Sequence, residues 1–246
     1  MANWNDPQPR AGFGASPSLG GRTQTQAGFD AGLRRHMLSI YNYMASGVLL
    51  SGLVAMLFAQ SGMAAQVLNT PLRWLIILAP LGFVMAMSFG ANRMRTSTLQ
   101  ALFWGFAIVM GLSLSSVFLV FTGASIATTF FATAAAFAGL SLVGYTTKKD
   151  LSAMGSFLIM GVVGILVAMV INLFVQSSAL QMGISVLGVL IFAGLTAYDT
   201  QRLKQQYFQL AGTDFAGKAI VLGALSLYLD FINMFQFLLS FTGQRN

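Results

Sequence analysis

Apolar residues in this chain occur in seven long runs that are separated by short polar stretches. Most of these runs approach the roughly 20 residues that an α-helix needs to cross the hydrocarbon core of a bilayer. The predicted spans cover about 40–59, 72–91, 99–121, 126–145, 150–175, 184–198 and 219–241. The pattern therefore predicts an all-α, polytopic membrane protein with seven transmembrane helices.

The last apolar run, residues 225–240, contains a single acid near its middle, Asp230. A carboxylate at that depth costs several kcal/mol unless it is neutralised or paired, so it is a hypothesis for a functional site. Ser226, Asp230, Asn233 and Ser240 follow one another at helical intervals, which places them along one stripe of a helix. Because this stripe should face protein or a water-filled cavity, we predict that the last helix is the central helix of the bundle.

Residues 1–32 are rich in Gly, Pro, Ser, Gln and Thr. Such a segment has too few apolar side chains to fold alone, so we interpret it as a disordered cytoplasmic tail. The transmembrane domain then covers residues 33–242. With the N-terminus inside, 11 of the 13 basic residues fall on the cytoplasmic side, and only Arg73 and Arg245 lie outside. The positive-inside rule therefore predicts a cytoplasmic N-terminus and an external C-terminus.

Composition narrows the possible chemistry. The chain is 56% hydrophobic and 8% charged, whereas a soluble domain carries about 25% charged residues. The net charge of +7 is explained by basic loops between the apolar runs, so no nucleic-acid partner is expected. The absence of cysteine and the single histidine, His36, argue against thiolate metal sites and Ser-His-Asp catalysis. We therefore expect no enzyme activity and no resident cofactor.

A second acid, Asp199, directly follows the sixth apolar run, and Arg202 and Lys204 lie about one turn later. Asp199 is either an interfacial acid paired with one of these cations or part of a pair with Asp230. In the second case the two acids share a proton or a cation and titrate as one unit, which would make them a pH sensor. Alternatively they form the dyad of an intramembrane aspartyl protease, although no glycines flank Asp230, or they are structural.

Four segments of the chain resemble the Bax inhibitor-1 family. They are LYLDFINMF at 227–235, AYDTQRLK at 197–204, GYTTKKDLSAMGSF at 144–157 and FWGFAIVMGLSLS at 103–115. The resemblance covers about residues 33–242, with the motifs in matching order, and the chain is most similar to bacterial members.

The resemblance implies six helices around a central last helix in the bacterial inner (plasma) membrane. It further implies a pH-dependent calcium leak that is controlled by an aspartate pair, here Asp199 and Asp230, and by an arginine latch, here Arg93. Arg93 and Asp199 each end a span that runs towards the cytoplasm, which favours a pair between them. The chain departs from some bacterial members at Gly82, where they carry a glutamate, and at residues 242–246, which lack an acidic end.

We therefore expect a pH-sensitive leak channel or transporter for calcium or other cations. Asp199 and Asp230 would form the pH sensor and ion pathway, with Arg93 as the latch and Ser226 and Asn233 as a supporting polar stripe. Carboxylate oxygens suit calcium, but two acids make at most a weak calcium site.

Two points stay open at this stage. In a rival hypothesis the chain is a membrane interaction protein that restrains a quality-control protease or another membrane protein, with the tail as its binding segment. In addition, hydropathy places Asp199 near the lipid headgroups and Asp230 about 15 Å deeper, so the two acids meet only if the sixth helix is tilted or shifted inward, or if water penetrates the cytoplasmic rim.

Overall fold

The computed structural model describes residues 19–246, with side chains from Asp30 onward. This part of the chain forms eight α-helices, and an isolated antiparallel bridge joins Phe121 to Arg245. The helices are α1 (Leu19–Gln60), α2 (Met63–Leu68), α3 (Leu72–Gly90), α4 (Thr96–Val120), α5 (Gly123–Thr146), α6 (Ser152–Val175), α7 (Ser178–Leu210) and α8 (Ala216–Thr242). All of them except the short α2 are long and apolar enough to cross a membrane, which confirms the predicted seven-span, all-α architecture.

The last helix, α8, lies at the centre of the bundle, as its polar stripe predicts. In its most apolar stretch 61% of the residues are buried, whereas the other six spans range from 11% to 33%. It contacts α1, α3, α4, α5 and α7. Helix α6 does not reach it and packs only on α7 within the described residues, so five helices rather than six touch the central one.

Tyr228 fastens the central helix to α1 and α4. Its side chain is fully buried, and its ring makes edge-on contacts with Phe103 and Phe106. The Tyr228 and Ser51 hydroxyl oxygens lie 2.6 Å apart, and the Ser51 hydroxyl lies 2.6 Å from the carbonyl oxygen of Ala107. The natural arrangement is that Tyr228 donates to Ser51 and Ser51 donates to Ala107. One polar relay thus joins three helices in a region where lipid offers no hydrogen bonds.

The sixth span is longer than its hydropathy indicates. Hydropathy ends the sixth span at about residue 198 and starts the next one at about 219, but α7 continues to Leu210. The polar extension is held by packing, because the Tyr207 ring lies 5.2 Å from the ring of His36 on α1. Asp199 is therefore about 16 Å from the end of α7 at 1.5 Å per residue, instead of at the end of the helix.

The structure also defines where α1 and α6 begin. The first helix begins at Leu19, and the predicted disordered tail lies outside the described residues for positions 1–18. Asp150 accepts hydrogen bonds from the hydroxyl and the backbone N–H of Ser152, which hold the pKa of that carboxyl below its usual value. Leu151 occupies the N-cap position of α6, and Asp150, the residue before it, stabilises the start of the helix through Ser152.

Replacing Tyr228 with Phe removes the hydroxyl and keeps the ring. We expect the free energy of unfolding to fall by about 1 kcal/mol, because one interhelical hydrogen bond is lost. Thermal unfolding of the detergent-purified protein measures this loss. Tyr41→Phe is the matched control, since no hydrogen bond of the Tyr41 hydroxyl is found among the described residues. Equal midpoints for the two variants would show that the relay does not stabilise the bundle.

Candidate functional site

Asp199, Arg202 and Ser226 form a closed ring of polar contacts between α7 and α8. One carboxylate oxygen of Asp199 lies 3.2 Å from a terminal guanidinium nitrogen of Arg202. The other accepts a hydrogen bond from the Ser226 hydroxyl. The same Arg202 nitrogen donates to the Ser226 oxygen at 3.2 Å. Asp199 is 6% exposed, whereas the Arg202 side chain is 39% exposed, so the ring extends from the interior of the bundle towards its surface.

Asp230 lies on α8 one helical turn beyond Ser226 and is 5% exposed. Asp199 and Arg202 both interact with it electrostatically. Its Oδ2 atom is buried and makes no hydrogen bond to any described residue. The structure therefore brings the two predicted acids to the same stretch of the α7–α8 interface. Asp199 bonds to Ser226, and Asp230 lies four residues, or about 6 Å of helix, further along α8, instead of the expected 15 Å.

The charges in this cluster do not balance when both acids are ionised. Two carboxylates, Asp199 and Asp230, face one guanidinium, Arg202, so one negative charge is left over. An uncompensated charge away from water costs several kcal/mol. A proton or a cation is the species that would remove this excess.

The part of α7 around Asp199 makes close contacts with α5 and with the loop between α5 and α6. The α5 backbone approaches α7 so closely at Gly144 that a Cβ there would collide with the carbonyl oxygen of Ala197. Small residues such as glycine allow this kind of close approach between membrane helices. The Gln201 amide donates to the carbonyl of Lys149 at 2.8 Å and accepts from the N–H of Leu151 at 2.9 Å. The register of α7, and with it the position of Asp199, is therefore fixed from the α5–α6 side.

Of the two cations proposed as partners of Asp199, the structure selects Arg202. Lys204 points away from the acids and donates to the backbone carbonyl of Tyr145 at 2.8 Å, with its ammonium group over the Tyr145 ring. Arg202 lies three residues after Asp199, so the two side chains share one face of α7.

Two other predicted site residues lie outside the cluster. Arg93 is exposed, and the only ion pair of Asp199 within the described residues is with Arg202. Asn233 donates to the Leu229 carbonyl of its own helix at 2.8 Å. The spacing of Arg202 from Asp199 was the signal that could have identified it, rather than Arg93, as the cation that pairs with Asp199 in this structure.

The cluster offers few ligands for a metal. Among the described residues no three acidic, histidine or cysteine side chains come together to hold a metal ion. Asp199 already uses both oxygens, and calcium takes six to eight oxygen ligands. The weak calcium site at Asp199 and Asp230 therefore stays a prediction.

The chain matches the family model described as "Inhibitor of apoptosis-promoting Bax1" over residues 33–246. It belongs to the Bax inhibitor-1 family. Bacterial relatives extend this match along most of the chain. An uncharacterized protein of Caulobacter vibrioides is 50% identical over 228 residues, which covers 87% of this chain and 90% of the relative. The Escherichia coli inner membrane protein YbhL is 42% identical over 219 residues, covering 87% and 94%.

A more distant relative is a membrane protein of Streptococcus pyogenes, 34% identical over 223 residues, covering 88% of this chain and 96% of the relative. This member of the Bax inhibitor-1 family is therefore a multi-pass membrane protein, and the family resemblance of its motifs is confirmed. The family match and the seven spans together identify the class of the protein.

The ring of contacts depends on the Ser226 hydroxyl. Ser226→Ala leaves one oxygen of a buried carboxylate without its donor, so we expect the free energy of unfolding to fall by about 1–3 kcal/mol. Thermal unfolding in detergent at neutral pH measures the effect. Ser240→Ala on the same helix is the control, because its contacts with Ser185 and Gln181 are between neutral groups at 3.2 and 3.5 Å. A loss at Ser226 no larger than that at Ser240 would contradict this role.

Proposed function

We propose that this Bax inhibitor-1 family member is a pH-sensitive leak channel or transporter for calcium or other cations in the bacterial inner membrane. Asp199 and Asp230 are its proton-sensing pair, and Arg202 is the latch that holds Asp199 in the closed conformation. The observation that carries the proposal is the unpartnered oxygen of Asp230, buried in the central helix one turn from the ring of Asp199, Arg202 and Ser226.

This observation favours a functional role over a structural one. Buried polar atoms in stable cores are almost always hydrogen-bonded, and an exception calls for an explanation. The Asp230 oxygen and the Arg202 Nε atom are the two buried side-chain atoms of the described residues that lack a partner, and both belong to this cluster. A purely structural ion pair would leave neither of them unsatisfied.

The sign of the pH response follows from the charges. At higher pH both acids tend to ionise, and the excess negative charge holds the Arg202 guanidinium between α7 and α8. At lower pH one acid takes up a proton, and a neutral acid loses most of its attraction for a guanidinium. Lower pH should therefore loosen the contact between α7 and α8 and open the leak.

Calcium enters the proposal as a transported ion rather than as a bound cofactor. The oxygen atoms of carboxylates, hydroxyls and backbone carbonyls are the ligands it prefers. Asp230 and the Ser226 hydroxyl offer such atoms on the central helix. Because few ligands are available, the site would bind an ion weakly, as passage requires, and would discriminate poorly among cations.

Removing the charge of either acid should change flux in a characteristic way. Asp199→Asn mimics the protonated acid in shape, so we expect it to flatten the pH dependence of calcium flux between pH 6 and 8. Asp230→Asn leaves Asp199 as the one acid paired with Arg202, so it should also flatten the pH profile, and because it removes the charge nearest the pathway it should in addition reduce cation passage at every pH. Fluorescent calcium indicators inside liposomes that contain the purified protein measure both effects. A wild-type profile for Asp199→Asn, or no flux from the wild-type protein at any pH, would sink the proposal.

The two candidate latch residues can be separated by matched neutral substitutions. Arg202→Gln should raise flux at neutral pH, because the closed conformation loses its only cation at the acid pair. Arg93→Gln should leave flux near the wild-type level, since Arg93 is exposed and does not pair with Asp199 in this conformation. The same liposome assay at pH 7.5 measures both variants. Raised flux in Arg93→Gln together with wild-type flux in Arg202→Gln would show that Arg93, and not Arg202, is the latch.

A further inference from the structure

A long groove runs between α1 and α5 on the outer surface of the bundle. These two helices do not contact each other, and the space between them has a volume of about 700 Å³. Its floor includes Phe137 of α5 and Phe231 of the central helix α8. The walls are almost entirely apolar, so water is not its natural occupant.

The groove has the length of one membrane leaflet. Its α1 wall extends from Arg34 to Leu49 and its α5 wall from Phe130 to Tyr145. Each wall covers 15 residue steps, which is about 22 Å of helix. Half of a bilayer with its headgroup region is about 20–22 Å thick. An acyl chain and the headgroup that carries it therefore match the groove from end to end.

One end of the groove is basic. Arg34 lines this end and is exposed, and no ion pair of Arg34 is found among the described residues. Arg34 and Arg35 also line an adjoining cleft of about 520 Å³. Asp30 is the one acid of that cleft, so its net charge is positive. On the opposite wall, the Lys204 ammonium group lies 4.8 Å from the centre of the Tyr145 ring, which adds a second positive charge near this end.

We propose that this groove binds one phospholipid with an anionic headgroup. The acyl chain lies between α1 and α5 on Phe137 and Phe231, and the phosphate lies at Arg34. A basic residue at a membrane surface contributes about 1 kcal/mol to the binding of an anionic lipid, which corresponds to about a fivefold preference. The site is independent of any ion flux, although its wall residue Ser141 lies 3.4 Å from the Thr200 hydroxyl, next to Asp199.

Native mass spectrometry of the detergent-purified full chain tests this proposal with phosphatidylglycerol and phosphatidylcholine as probes. We expect one retained lipid per protein, with phosphatidylglycerol preferred about fivefold. Arg34→Gln should reduce that preference to nearly equal binding of the two lipids. Arg95→Gln is the charge control. Arg95 is also exposed and lies between α3 and α4, but it does not line the groove.

Filling the groove tests the acyl-chain part of the proposal. Ala138→Trp places a large ring between α1 and α5 and should abolish retention of both lipids. Ala136→Trp is the matched control, since Ala136 is exposed on the same helix but is not a wall residue. Arg34 is exposed, so Arg34→Gln decides the matter even if Ala138→Trp folds poorly. Equal loss of preference in Arg34→Gln and Arg95→Gln, or full lipid retention in folded Ala138→Trp, would overturn the proposal.

Discussion

The bundle depends on one constraint, which is that the acid in the middle of the central helix has to be compensated within the protein. Lipid supplies neither a counter-charge nor a hydrogen bond, and an uncompensated carboxylate costs several kcal/mol. Arg202 of α7 supplies the positive charge that acts on Asp230, but it also pairs with Asp199, so a single guanidinium serves two acids. Packing of α7 on α8 is therefore an electrostatic contact as well as an apolar one.

The two sides of α8 meet this constraint differently. Tyr228 and Asp230 are two residues apart and so point to nearly opposite faces of the helix. On the Tyr228 face, neutral hydroxyls form a completed relay to α1 and α4, which does not change its charge near neutral pH. On the Asp230 face, an acid keeps an unpartnered oxygen beside a second acid. Under the proposed function, a change in pH acts on the interface between α7 and α8, while the Tyr228 face holds the central helix in place.

Much of this arrangement could be predicted from the sequence. Hydropathy identified the seven spans, and the stripe of Ser226 and Asp230 identified the central helix, because polar atoms in a membrane helix must face protein. Hydropathy failed at the end of α7, since it reports which residues prefer lipid and not where a helix ends. Residues 205–210 remain helical because Tyr207 packs on His36 of another helix, a contact between distant segments. That failure also misplaced Asp199 in depth.

The expectation that Arg93 pairs with Asp199, which this structure does not show, had the same origin. Charge patterns place Arg93 and Asp199 at the same side of the membrane, but they do not measure the distance between two helices. The spacing from Asp199 to Arg202 on a single helix was more informative, because it requires no assumption about packing. The groove between α1 and α5 could not be predicted from the sequence. It lies where two helices do not pack on each other, and the periodicity of apolar residues describes the faces of a single helix only.

The central claim is that Asp199 and Asp230 exchange a proton as one unit. Infrared difference spectroscopy between pH 8 and pH 6 measures it directly, through the carbonyl band of protonated carboxylic acids. Exposed acids such as Asp150 stay ionised over this range. The account predicts a band that grows as the pH falls and disappears in both Asp199→Asn and Asp230→Asn, because the remaining acid is then paired with Arg202 and stays ionised. A band that persists in both variants, or no band in the wild-type protein, would contradict the account.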